Sequence, residues 1–371
     1  MIYFRFLREH PAFLGFGLLA VALSGFGQTF FISLFGGQIR EAFALSNAGF
    51  GLLYSTATLV SGLVLLGAGR LLDRLDLRLF TAIVVLGVAA GCGLMAGATA
   101  VWAVGVAMFL LRFFGQGLMT HMALTSMGRY FEADRGKAVS VAGLGMPLGE
   151  AVWPSAGVAV AAWVGWRQTW GLSAIFMGAL ALPVLLAFLR GHGGRKRRLR
   201  DRTAAQAEGG AGRQWTPGEV LRDPRFYLVM PAVLAAPFIV TALFFHQVPL
   251  AAAKGWDLSW LASSFVAFAA THVLGLAVFG PLVDRAGAWR LLGLFLAPMA
   301  LGLLVVAASD HPYAAPLYLG LMGASMGGTG TLLGALWPEL YGVAHLGAIR
   351  AVVQAAMVLS TAVSPVAAGM L

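Results

Sequence analysis

Long stretches nearly free of charge recur from end to end of this chain, and no other feature limits its fold so tightly. Eleven of them can be drawn, at 11–35, 47–71, 79–98, 101–127, 138–163, 169–189, 226–250, 258–282, 291–308, 314–337 and 348–371. A helix needs roughly 20 apolar residues to cross a bilayer, and these runs are of that order. They are continuous rather than alternating, which excludes a closed β-barrel. Only 11% of the 371 residues are charged, against roughly 25% in soluble domains. The fold class expected is therefore an all-α integral membrane protein. Its 49 glycines suit helices that must approach closely in lipid. The first apolar run is too long for a cleavable signal and reads as a first span.

The segment 191–225 interrupts the pattern. It is basic and polar, and it divides the chain into bundles at 1–190 (six spans) and 226–371 (five spans). With the N-terminus in the cytoplasm and the spans alternating, 21 of the 25 Lys and Arg fall on the cytoplasmic side. Three (Arg40, Arg167, Lys254) fall outside, and Arg112 lies within a span. The positive-inside rule favours this orientation, in a cytoplasmic (inner) membrane. The basic excess thus belongs to the bilayer surface and not to nucleic acid. Cys92 is the single cysteine and reads as a small packing residue.

The two halves repeat at an offset of 211 residues. Ser46 matches Asp257, both placed as helix N-caps. Gly69, Leu71, Asp73 and Arg74 match Gly280, Leu282, Asp284 and Arg285. Gly136 matches Gly347, and Ala151, Val152 and Pro154 match Ala362, Val363 and Pro365. Repeats of this size build many secondary transporters, with two bundles related by a pseudo-two-fold axis and a site between them.

These residues resemble a known family. GRLLDRLDLR at 69–78 and GPLVDRAGAWR at 280–290 are similar to the loop signature of the major facilitator superfamily, and they stand where that family places it. LRFFGQG at 111–117 resembles its fourth-helix motif. RGKAVSVAGLGMPLGEAVWP at 135–154 resembles the fifth helix of organic-acid and monocarboxylate members, and GWRQTW at 165–170 the start of the sixth. The resemblance implies alternating access, with Gly69, Asp73, Arg74, Arg78, Gly280, Asp284, Arg285 and Arg290 as a conformational latch; the bland reading of that cluster is a topological anchor. It also implies twelve helices. The counterpart of span 169–189 would fall near residues 380–400, so a missing twelfth helix is expected.

Ionisable groups at membrane depth are costly and usually functional. Arg112 in the fourth span is expected to bind substrate, with Gln28, Tyr54, His246 and Gln354 beside it; a structural ion pair is the alternative. Glu150 in the fifth span, with His121, is expected to couple protons. Helix arithmetic puts Arg112 about 25 Å and Glu150 about 20 Å from the cytoplasmic ends, near enough in depth to pair. His272 reads as an interhelical hydrogen-bonding residue. No phosphate loop, zinc motif or paired Cys stands out, so an enzyme, a cofactor and a metal are not expected. The partners expected are a small-molecule substrate, protons and the bilayer, with a monomeric protein. The activity expected is proton-linked carriage of an organic anion. A drug exporter using Glu150 as a cation site, or a non-transporting sensor on the same scaffold, are the competing readings.

Overall fold

The computed structural model describes residues 6, 8–68, 75–131, 135–191, 215–341 and 346–369. The described residues are helical almost throughout. Eight of their helices are long and apolar enough to cross a membrane. The count is nine if the pieces Pro11–Gly27 and Thr29–Ala42, separated at Gln28, form one span. The other two expected spans fall short of that test for local reasons. The fifth is divided at Leu144 into Arg135–Gly143 and Gly145–Val164 and carries Glu150. The ninth is regular only over the 12 residues Ala297–Ala308. Much of the basic linker, residues 192–214, lies outside the described residues.

The described chain forms two compact units. One comprises Met1–Gln28, Val64–Gly149 and Val164–Ala211, and the other Thr29–Leu63, Glu150–Trp163 and Gly212–Leu371.

In the first unit, the helix Leu77–Gly97 packs on Val101–Leu110 and Trp166–Ile175, and Pro11–Leu23 packs on Thr120–Tyr130 and Arg135–Gly143. Gly145 sits against Leu18 O and Ala22 N, where a β-carbon has no room. Arg167, from the GWRQTW segment, donates to Ala96 O at 3.2 Å and Ala98 O at 2.6 Å. It thereby satisfies carbonyls at the end of Leu77–Gly97, where a cation also meets the negative helix pole. Its guanidinium lies 4.5 Å from the Trp166 ring centroid.

In the second unit, the long helices Leu258–Ala286 and Ala314–Tyr341 make the most extensive pairing. Glycine explains it. Gly323 abuts Phe268 O, Gly327 abuts His272 O, and a β-carbon on Gly275 would stand 2.5 Å from Ala324 O. Backbones this close exclude any side chain at these positions. The helix Pro224–Phe245 packs on Leu346–Gly369 and on Thr29–Ile32.

Helix starts follow the sequence closely. Ser46 Oγ accepts from Gly49 N at 3.0 Å. Asp257 Oδ1 accepts from Ser259 N at 2.8 Å and Trp260 N at 3.2 Å. The two loop signatures differ at Asp76 and Gly287, which are 211 residues apart. Asp76 caps Leu77–Gly97 with its own carboxylate, accepting from Arg78 N at 2.9 Å. Gly287 precedes Ala288–Leu291 at φ 80°, a conformation that disfavours a β-carbon. There the carboxylate comes from another helix: Glu339 Oε2 accepts from Ala288 N at 2.8 Å.

Candidate functional site

In the second unit, Glu150 stands near the start of Gly145–Val164 and His272 midway along Leu258–Ala286. Glu150 Oε2 lies 2.9 Å from His272 Nδ1. Both residues are buried, at 5% and 9% exposure. The backbone of His272 is held by Gly327, whose missing β-carbon leaves room for the His272 carbonyl. Phe268 lies edge-on to the imidazole, ring centroids 5.9 Å apart. Pro154 has no N–H for Glu150 O, so this stretch of backbone lacks the usual helical donor at that carbonyl. A buried carboxylate is tolerable when it is paired, and the imidazole meets that need. The sequence pattern paired Glu150 with Arg112, and the structure gives it His272. The depth arithmetic behind the expected pair carried no information on which side chains meet.

Arg112 lies in the first unit, 1% exposed. It is the second residue of a π-helical stretch, Leu111–Met119, in the fourth span. Such bulges often mark functional sites. Its Nη1 donates to Gly27 O at 3.1 Å. Gly27 ends a 3₁₀ turn, Ser24–Gly27, and Gln28 after it is extended (φ −83°, ψ 154°). The first span is thus interrupted where Arg112 reaches it. Gly27 and Gly115 meet so closely that a β-carbon on Gly115 would stand 2.9 Å from Gly27 Cα. This gives the glycine in LRFFGQG a physical purpose. Half-buried Gln28 belongs to the same place.

The other expected site residues are dispersed. Tyr54 is fully buried, its hydroxyl 2.7 Å from Thr29 Oγ1 and its ring 4.8 Å from that of Phe245. His246 Nε2 lies 2.9 Å from Pro365 O. It borders a pocket of about 10 Å³, room for roughly one water, also lined by Ser33, Arg40, Asn47, Phe50 and Phe245. Gln354 and His121 are exposed, the latter with Nδ1 3.5 Å from Thr125 Oγ1. Of the latch residues, Gly69, Asp73 and Arg74 lie outside the described residues. Gly280 and Asp284 are described as backbone of Leu258–Ala286 only. Arg285 and Arg290 are exposed. Arg78 donates through Nε and Nη2 to Leu189 O at 3.2 and 3.0 Å.

One polar cluster was not expected from the sequence. Gln247, 1% exposed, donates through Nε2 to Phe30 O at 2.7 Å and to Ser33 Oγ at 2.9 Å. Ser33 Oγ in turn donates to Thr29 O at 2.7 Å, with Phe244 O as a second acceptor within reach. The available signal was a Gln directly after His246 at the end of an apolar run, where the ionisable neighbour is the more conspicuous residue. Among the described residues no group of three or more His, Cys, Asp or Glu could hold a metal.

A profile of the Major Facilitator Superfamily matches residues 17–371. The chain belongs to the Major Facilitator Superfamily. It is accordingly a multi-pass membrane transporter of a small molecule and not an enzyme. Among solved structures, it is similar to two crystal structures of a bacterial homologue of the human lysosomal transporter Spinster. One is inward-facing and occupied, the other inward-facing and unoccupied. Each is 16% identical with a TM-score of 0.66. Each alignment covers 96% of this chain, and 80% and 82% of the respective relative. At that identity the likeness shows the shared fold. No curated protein matches the chain in sequence.

Proposed function

We propose that this facilitator carries a small organic anion, such as a monocarboxylate, together with a proton. The observation that carries the reading is the buried Glu150–His272 pair, a titratable acid and base 2.9 Å apart on membrane helices. A carboxylate kept at such depth for packing alone is expensive. Arg112, from the fourth span, supplies the counter-charge for the anion where it reaches the interrupted first span at Gly27. Half-helices commonly furnish solute sites in transporters. Tyr54, His246 and Gln354 line the solute's route in this reading, with His121 as a further proton site. The bundles 1–190 and 226–371 are the moving bodies, and the loop signatures latch them. The chain works as a monomer in a cytoplasmic membrane with its N-terminus inside. The likeness of 135–154 to organic-acid members supports the solute class.

The test is flux in proteoliposomes under an imposed pH gradient. The panel holds labelled lactate, acetate and succinate, with ethidium as a cationic comparator. Accumulation of an anion that collapses with the gradient is expected. Ethidium flux without anion flux would support the exporter, and binding without flux the sensor.

A further inference from the structure

The 211-residue repeat provides an internal comparison for the Glu150–His272 contact. The position 211 residues after Glu150 is Thr361, and the position 211 before His272 is Ser61. Both lie in the second unit and both are buried, at 9% and 6% exposure. Their helices touch at Gly62 and Val358. Each hydroxyl turns back to its own helix, Ser61 Oγ donating to Thr58 O at 2.7 Å and Thr361 Oγ1 to Val358 O at 2.9 Å. Pro154 and Pro365 follow Glu150 and Thr361 at the same spacing. One of two equivalent places in the fold therefore packs with neutral hydroxyls. The acid and base at the other are not a requirement of packing.

We propose that the transported proton is held by Glu150 and His272 as one unit, with His272 Nε2 as the atom that takes it up. The inference rests on the proton-linked reading above and adds to it the second residue and the atom. In the unloaded state, neutral His272 carries its proton on Nδ1 and donates it to the Glu150 carboxylate, so the pair bears one negative charge. A proton from water then forms an N–H bond at Nε2, giving imidazolium beside carboxylate and a neutral pair. The bond between Nδ1 and Oε2 survives the change, and release simply breaks the new N–H bond. Sealing a net charge from water costs more than sealing a neutral pair, so loading favours closure over the site. The His272 and Glu150 side chains keep 11% and 7% of their surface exposed. Among the described residues, the other charged groups on the elements packed against Leu258–Ala286 are engaged elsewhere or exposed. Lys254 pairs with Asp310 at 2.6 Å, Glu339 binds Ala288 N, and Arg290 is exposed. Tyr318 stacks on Trp256, and Tyr341 meets Trp215 and Trp337. Asp257 caps the start of the helix, and Arg285 is exposed near its end. Glu150 is the sole ionisable residue of Gly145–Val164.

Two measurements test this. The first uses the full chain in lipid nanodiscs with ¹⁵N-labelled histidine, the His272 signals being assigned with His272→Gln. Neutral His272 should carry its proton on Nδ1, and Glu150→Gln should shift it to Nε2, the tautomer favoured by free imidazole. An Nε2-protonated neutral ring in the wild type, or a tautomer indifferent to Glu150→Gln, overturns the proposal. The second copies the neutral place onto the charged one with the double variant Glu150→Thr/His272→Ser. Accumulation of labelled lactate driven by a pH gradient should fall roughly tenfold or more, the size of an ordinary coupling, and gradient-free lactate counterflow should fall less. Accumulation retained by the double variant also overturns it. If the wild type moves no lactate, the solute class fails, and the tautomer measurement still decides the pair.

Discussion

Capping carboxylates show how much single residues of this chain do. Asp257 closes two backbone donors at the start of a 29-residue helix. Asp257→Ala should cost about 1 kcal/mol, read as a lowered midpoint of thermal unfolding in detergent. Asp223 caps Pro224–Phe245 and also pairs with Arg225 at 2.9 Å. That guanidinium holds its carboxyl below the usual carboxylate range. A group depressed in this way contributes stability above the ordinary carboxylate pKa, and the contribution is lost as pH falls through the folded-state value. Asp223→Asn keeps a capping oxygen and drops the charge. Its stability deficit should be greatest at neutral pH and shrink in acid. A deficit independent of pH would assign the whole effect to the cap. The cap at Asp257 was legible beforehand because donor and acceptor are two or three residues apart. His272 was not legible as the partner of Glu150, because 122 residues separate them and only tertiary packing selects the pair.

Helices in this protein meet through glycine, and the consequence differs with what lies across the contact. Gly327 faces the carbonyl of His272. Gly327→Ala must push the two long helices apart, at about 1–3 kcal/mol for overpacking, and it moves the imidazole as well. Its transport defect should therefore exceed that of Gly334→Ala on the same helix, where a β-carbon meets nothing within 4 Å. Equal effects on flux would remove Gly327 from the support of the pair. Gly27 and Gly115 do the same for the segment that carries Arg112. The abundance of glycine read in sequence as a packing signal. The sequence did not show the π-helical stretch at Leu111–Met119 or the extended Gln28. Apolar periodicity places a span and averages over the irregularity inside it. For the same reason the fifth and ninth spans looked as regular as the rest in sequence. Glu150 and the divided helix at Leu144 in one, and the short regular stretch in the other, set them apart.

At the scale of the whole molecule, the membrane class and the superfamily were readable from apolar runs and from two copies of one loop signature. The offset of 211 extends to details within and beyond those motifs. Asp76 and Gly287 fall at matching helix starts, one capped by its own side chain and one by Glu339. Glu150 and His272 match two buried hydroxyls. The repeat marks where the halves have diverged, and the divergence at 150 and 272 is the basis of the proposed proton coupling. That coupling is tested most directly by uptake of labelled lactate into proteoliposomes holding the wild type or Glu150→Gln, with and without an inwardly directed proton gradient. Coupling through the pair predicts gradient-dependent accumulation by the wild type and its loss, by roughly tenfold or more, in the variant. Uptake by Glu150→Gln that keeps both its size and its dependence on the gradient would contradict it.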